Sequence, residues 1–255
     1  MKKRVCYILL FCCMLSFMPC HAEGPAESVE QAREQLQQLN IINEDSFSQE
    51  EIVYRCEAIV PIMKVYGLPE SYEDGDNLGT CLQPFSDVAK DRWNDENSPK
   101  NQYGIKVHYF GYVMAGEVLS IVYGYRNGYF GSYDAITAKE AAAFMMRCIE
   151  GLEIYVDGVY KINDNIDISY INAKNCGLVQ ETDRFYEDGD LALTRDELCI
   201  LLDRMLYQPC CKCYIKKEVE PGIFEESPWV DKERTKRYID ILNGDFPESG
   251  DKSLW

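Results

Sequence analysis

Apolar residues recur at helical spacing in three stretches of the chain, each opening on a hydroxyl residue with a glutamate three positions later. In ITAKEAAAFMMRCIEG, Thr137 and Glu140 form this box. Phe144, Met145, Cys148, Ile149 and Leu152 then share one face, and Gly151 stands where a helix would stop. A Ser or Thr oxygen at such a position accepts an amide of the first turn, and the glutamate returns to the cap's own N–H. The pattern therefore predicts a capped amphipathic helix. In LTRDELCILLDRML the box is Thr194 with Glu197, and Leu198, Leu201, Leu202, Met205 and Leu206 make the stripe. In FSQEEIVYRCEAIVPIM the box is Ser48 with Glu51, and Ile52, Cys56, Ile59 and Met63 lie on one face. Pro61 lacks an N–H and should end or kink that helix near Val60. Val29, Ala32, Leu36 and Leu39 predict a lead-in helix over 28–39. Residues 111–122 predict another, and 231–242 a short one.

These stretches belong to an internal repeat. Ile121-Val122 begins 16 positions before Thr137 (137 minus 121), and Leu178-Val179 begins 16 before Thr194 (194 minus 178). Aromatic residues fill the loop between pair and box both times, first Tyr129 and Phe130, then Phe185 and Tyr186. Ser48 precedes Thr137 by 89 positions, whereas Thr137 precedes Thr194 by 57. The middle unit thus carries an insertion, and the polar, turn-rich run 70–104 reads as a surface loop.

The ordered motifs resemble the S-layer homology domain, whose repeats run Phe-x-Asp-Val, a Trp, a Gly-Ile-Ile-x-Gly turn, an aromatic, then Ile-Thr-Arg-x-Glu and a helix. Phe85-Ser86-Asp87-Val88, Trp93, Ile121-Val122-Tyr123-Gly124, Phe130 and Ile136-Thr137-Ala138-Lys139-Glu140 carry the second repeat. Gly177-Leu178-Val179 and Leu193-Thr194-Arg195-Asp196-Glu197 carry the third, and Leu39-Asn40-Ile41-Ile42 with Phe47-Ser48-Gln49-Glu50-Glu51 the first. In the third, Tyr155-x-Asp157 and Ile162-x-Asp164 both resemble Phe-x-Asp. The resemblance implies a mostly α fold of three helix–loop–helix repeats in a pseudo-threefold bundle with long loops. Between an N-terminal signal peptide (1–22) and a cysteine-containing acidic tail (209–255), both outside the resemblance, it divides the chain into a truncated first repeat (23–68), a second with its insertion (69–152) and a third (153–208). It further implies grooves that bind anionic, pyruvylated cell-wall polysaccharide. Arg195 would be the main contact, as the Thr-Arg-x-Glu arginine, with Thr194 beside it and Asp87 and Trp93 lining a groove or bracing the repeat. Gln49 and Ala138 stand at the corresponding positions of repeats one and two, and Lys139 points elsewhere on its helix.

Composition sharpens this reading. Lys2, Lys3 and Arg4, an apolar run from Val5 to Met18, and Cys20-His21-Ala22 read as a cleavable secretory signal, with cleavage expected after Ala22. Lipidation of Cys20 is the alternative, but Phe17, Met18 and Pro19 are not the small residues that such a site prefers. The apolar run is too short for a bilayer span, and no other stretch predicts one. The net charge is −17, and losing those three cations would make it −20 (−17 minus 3). Nucleic acid is thereby excluded as a partner, because a phosphate backbone needs basic clusters.

Eight cysteines follow the signal: Cys56, Cys81, Cys148, Cys176, Cys199, Cys210, Cys211 and Cys213. Cys56, Cys148 and Cys199 fall on apolar faces and predict small core residues. Cys210, Cys211 and Cys213 favour disulfides, to Cys176 or Cys81, over a metal site.

No catalytic, metal or cofactor site is predicted. Centring a calcium loop on Gly189 puts Arg184 and Arg195 where Asp and Glu are needed, and centring one on Gly75 puts Cys81 at the last position. Both Asp-Gly-Asp runs therefore read as turns. Beyond the signal the lone histidine is His108, in the apolar setting KVHYFGY, and no nucleophile elbow or glycine-rich phosphate loop occurs. The expected function is a secreted, non-enzymatic, cell-wall-associated polysaccharide binder. The alternative is a structural or protein-binding module of the same fold, with the insertion or the tail as contact surface.

Overall fold

The computed structural model describes residues 24–43, 51–68, 85–88, 109–150, 153–156, 159–162, 165–210, 212–220, 223–230 and 236–245. Seven helices carry most of the regular structure in these residues: α1 (Val29–Gln38), α2 (Arg55–Val65), α3 (Phe110–Val118), α4 (Ala138–Glu150), α5 (Ile166–Asn175), α6 (Arg195–Leu206) and α7 (Tyr238–Leu242). Two antiparallel hairpins join them, β1 (Glu153–Val156) with β2 (Val159–Ile162) and β3 (Lys212–Glu220) with β4 (Ile223–Val230). The protein is mostly helical. No described helix is long and apolar enough to cross a membrane.

Three of the helices, α1, α3 and α5, are lead-ins that stop in the same way. Each ends two residues before a position of positive φ, Asn40 (55°), Ser120 (53°) and Gly177 (78°). A left-handed residue there turns the chain back across the helix end and lets the following amides reach its last carbonyls. Ile41 donates to the Leu36 carbonyl, Ile121 and Val122 to that of Gly116, and Val179 to that of Ala173. The apolar pairs after the turn, Ile41-Ile42, Ile121-Val122 and Leu178-Val179, are all buried.

The starts of α2, α4 and α6 are tied together in a closed ring. The Val53 amide donates to the Leu193 carbonyl (3.0 Å), Leu193 to Ile136 (3.0 Å), and Ile136 back to Val53 (2.9 Å). All three side chains are fully buried. The first helical amides are satisfied in the same sense, Arg55 by Asp134, Ala138 by Leu191 and Arg195 by Glu51, each at 3.0 Å. Backbone donors that a lone helix would leave to water are thereby consumed inside the fold.

Around this ring α2 packs on α3, α4, α6 and α7, while α1 packs on α6 and α5 on α4. Leu198, Leu201, Leu202, Met205 and Leu206 of α6 are fully buried, as their stripe predicts. Helix α4 is buried nearly all round, because Ala138, Ala141, Ala142 and Ala143 join Phe144, Met145, Cys148 and Ile149 in the core. The alanines let neighbouring elements approach closely.

Two expectations fail at the first repeat. Helix α2 begins after Tyr54, not at Ser48. Ser48 lies outside the described residues, and Glu51 precedes the helix, where its carbonyl serves Arg195. Glu57 makes the return bond to the Tyr54 amide (3.1 Å) that Glu140 and Glu197 make to Thr137 and Thr194. The capping sequence is thus Tyr54-Arg55-Cys56-Glu57, and Ile52, expected on the core face, is 50% exposed. Pro61 sits inside α2 without ending it. A mid-helix proline costs about 3 kcal/mol, and burial of Ile62, Met63 and Val65 beyond it offsets that.

The tail also joins the body. The Cys210 amide donates to the Lys236 carbonyl (2.7 Å), and Tyr238, Ile239 and Ile241 of α7 are buried. Tyr238 donates to the Cys148 carbonyl of α4 (2.6 Å). Tyr155 and Ile162, expected in a Phe-x-Asp segment, lie in the β1–β2 hairpin. The terminal residues 246–255 lie outside the described residues.

Candidate functional site

Each of the three helix starts carries a carboxylate at the third helical position, and each meets an arginine from elsewhere. Arg195 reaches Glu57 (3.0 Å), Arg55 reaches Glu140 (2.6 Å), and Arg184 forks onto Glu197 (2.7 and 3.0 Å). In the first two cases the arginine is the residue just after the cap. At that position of α4 stands Ala138, and Arg184 from the preceding loop supplies the missing cation. Arg195 and Arg55 are 1% and 2% exposed, so these pairs stitch helix starts together beneath the surface.

Beside Arg55 a cavity of about 460 Å³ opens between the start of α2, one face of α4, the loop after α3 and the start of α5. Such a volume suits a small ligand. Arg55, Arg126, Arg147 and Glu140 provide its charges, Tyr123 and Tyr125 its aromatic walls, and Ala143, Phe144 and Ile166 its apolar side. Arg55 is held from all directions. It donates to the carbonyls of Phe130 (2.8 Å) and Tyr123 (3.3 Å), and its guanidinium lies 5.0 Å from the ring centres of Tyr125 and Phe130. Arg147 donates to the Ile121 carbonyl (3.0 Å) and lies 4.5 Å over the Tyr123 ring. Arg126 is exposed on a turn that the Gly128 amide closes onto the Tyr125 carbonyl (3.0 Å). Burial foremost raises the Tyr125 hydroxyl above its usual pKa, so it remains a neutral donor.

The cavity loop is anchored by Asp87. Its carboxylate accepts the amides of Phe130 (2.7 Å), Gly131 (2.9 Å) and Ser132 (3.2 Å). Phe85 packs on Phe130, and a side chain at Gly124 would collide with the Phe85 ring. Asp87 therefore shapes the loop through its backbone.

No family model matches this chain, and no curated protein does.

Of the residues expected to bind ligand, neither Arg195 nor Thr194 lines this cavity. Arg195 is buried against Glu57 and Glu51, away from the cavity, and Thr194 accepts the Glu197 amide (3.3 Å) as a helix cap. Trp93, Gln49 and His108 lie outside the described residues. Lys139 bridges Asp167 (3.0 Å) and Asp190 (3.2 Å). Asp188 accepts the Asp190 amide (3.1 Å), a turn in the second Asp-Gly-Asp run. Cys56, Cys148 and Cys199 pack as core residues, and burial raises all three thiols, that of Cys199 to about 12. No disulfide joins Cys176 to Cys210, one of the pairings that the sequence leaves open for the tail cysteines. The exposed Cys176 thiol faces Met146 Sδ at 3.7 Å instead. Cys81 and Cys211 lie outside the described residues. Among those residues no group of His, Cys, Asp and Glu is arranged to hold a metal ion.

Sequence reasoning overlooked Arg55, Arg126 and Arg147. A signal for Arg55 was present in Tyr54-Arg55-Cys56-Glu57, which matches x-Arg-x-Glu better than Ser48-Gln49-Glu50-Glu51 does. The tyrosine in the cap position hid it.

Proposed function

We propose that this chain is a secreted, non-enzymatic protein of the S-layer homology type that holds an anionic, pyruvylated cell-wall polysaccharide in the cavity beside Arg55. The observation that carries this reading is the cavity's lining of three arginines against one glutamate, with two tyrosines, in a chain whose net charge is −17. Cations concentrated against such a background favour a negatively charged ligand at that spot, and tyrosine rings suit the faces of sugar rings. Repulsion from the acidic exterior is screened beyond about 8–10 Å at physiological salt, so local donors decide binding.

The three-repeat, pseudo-threefold bundle is part of the proposal. Its support is the closed ring through Val53, Ile136 and Leu193, together with the matched lead-in turns at Asn40, Ser120 and Gly177. Cosedimentation with purified cell walls, native and stripped of pyruvyl groups, tests the function. Retention on native walls alone is expected. Absence of retention on either would sink the reading and leave a protein-binding module. That second reading has its own observation, the exposed Ile168 and Ile171 on α5.

A further inference from the structure

The β3–β4 hairpin has one blocked edge and one open edge. Its root is fixed to the body, where the Cys210 amide donates to the Lys236 carbonyl (2.7 Å) and Pro209 bridges Arg237. From there the register runs without a shift from Lys212 opposite Val230 to Glu218 opposite Phe224. Among the described residues neither strand pairs with a third. Two strands alone are marginal in water, and an open strand edge is a template for another chain. Pro228 stands opposite Tyr214 inside the unbroken ladder. A proline has no N–H to give β3, so that position belongs to the pairs whose backbone groups point outward. The outer row of β4 is therefore interrupted at Pro228. The same alternation turns the amides and carbonyls of Lys212, Tyr214, Lys216 and Glu218 away from β4, and β3 contains no proline. Charge is distributed unevenly over the ladder. Lys216 stands opposite Glu226 and Lys217 opposite Glu225, whereas Lys212 and Glu218 stand opposite the apolar Val230 and Phe224.

From this pattern we propose that the outer edge of β3 is a dimerisation surface, which receives β3 of a second copy of this chain, antiparallel, about a two-fold axis at Ile215. The outward row must meet its own copy to form hydrogen bonds, so the axis falls on a residue and not between two. Axes on residues 214–218 keep at least five residues of β3 paired, and charge chooses among them. An axis at Tyr214 sets Lys212 against the partner's Lys216. Axes at Lys216, Lys217 and Glu218 set each of those residues against itself. Only the axis at Ile215 brings no like charges together. There Lys212 stands opposite the partner's Glu218, Cys213 opposite the partner's Lys217, and Tyr214 opposite the partner's Lys216. The contact is isologous, so the pairing of Lys212 with Glu218 occurs twice. Those are the two charges that face apolar residues inside the hairpin. Opposite charges across a ladder are favourable and like charges are not, and two marginal ribbons become one four-stranded sheet.

The inference is independent of what the cavity holds. Sedimentation equilibrium on the full chain should show monomer and dimer in exchange. Lys212→Glu and Glu218→Lys should each weaken the dimer roughly tenfold, because each turns two opposite-charge pairs into like-charge pairs. The double variant Lys212→Glu with Glu218→Lys restores both pairs and should dimerise like the wild type. Thermal melts followed by circular dichroism check that the helical body of every variant stays folded. Ile215→Cys tests the register directly. A two-fold axis there makes residue 215 a non-hydrogen-bonded pair, with Cα atoms about 4.5 Å apart, inside the range that a disulfide spans. Mild oxidation should then join two chains through residue 215, as mapped by mass spectrometry. A wild type that stays monomeric at its highest soluble concentration would overturn the inference. So would a double variant that dimerises no better than the single ones, or an oxidised Ile215→Cys protein without the 215–215 link.

Discussion

Replacing Arg195 by alanine separates a structural arginine from a ligand-binding one. The side chain is 1% exposed, and its Nη2 lies 3.0 Å from Glu57 Oε1. Glu57 is itself buried, and its other oxygen holds the Tyr54 amide. Truncation at Arg195 would leave that carboxylate without its cation inside the fold, at the junction of α2 and α6. Removing one partner of a buried pair costs about 3–5 kcal/mol, a large share of the roughly 5–15 kcal/mol that holds a domain together. With a urea m-value of about 2 kcal/mol/M, the unfolding midpoint should fall by roughly 1.5–2.5 M. Circular dichroism in urea at pH 7 measures it. The companion variant Arg195→Met with Glu57→Gln removes both charges and should recover most of the loss, because no uncompensated ion remains. A shift below about 0.5 M for Arg195→Ala, or a double variant no better than the single one, would refute the buried-pair account and return Arg195 to the ligand.

Leu202→Ala, at a fully buried position of α6, should cost about 2–5 kcal/mol in the same urea assay, as a core truncation does. Asp87→Ala removes the acceptor of three loop amides and should cost about 2–4 kcal/mol, given about 1.5–3 for a charged hydrogen bond and incomplete additivity. It should also loosen the cavity loop, read as faster amide exchange at Phe130, Gly131 and Ser132. Acid should destabilise the fold partly through Glu197. Burial pushes its pKa up, but the hydrogen bonds from Arg184 and the Thr194 amide outweigh this and leave it below the ordinary 4.5. A lowered folded pKa means that the stabilisation is present above about 4.5 and lost as pH falls through the folded value. Glu197→Gln should therefore lose less of its urea midpoint than wild type between pH 6 and pH 3.

Much of the helical layout was legible because its signals are local. The boxes at Thr137 and Thr194 and the stripe through Leu198, Leu202 and Met205 need only a few neighbouring residues to act, and they appear where the spacing puts them. The start of α2 was misread for the same reason. Ser48-Gln49-Glu50-Glu51 satisfies the local rule better than Tyr54-Arg55-Cys56-Glu57 does, and what selects Tyr54 is the ring through Val53, Ile136 and Leu193, whose members are far apart in the chain. The hairpins and α7 gave weaker local patterns. The role of Arg195 was beyond sequence, since Thr-Arg-x-Glu does not say whether the arginine faces solvent or a carboxylate 138 positions away. Periodicity and capping chemistry thus determined which segments coil and which faces turn inward. Only the tertiary structure decided that Arg195 is spent on a buried glutamate while Arg55, Arg126 and Arg147 line a cavity, because burial and pairing depend on neighbours that the chain brings together after it folds.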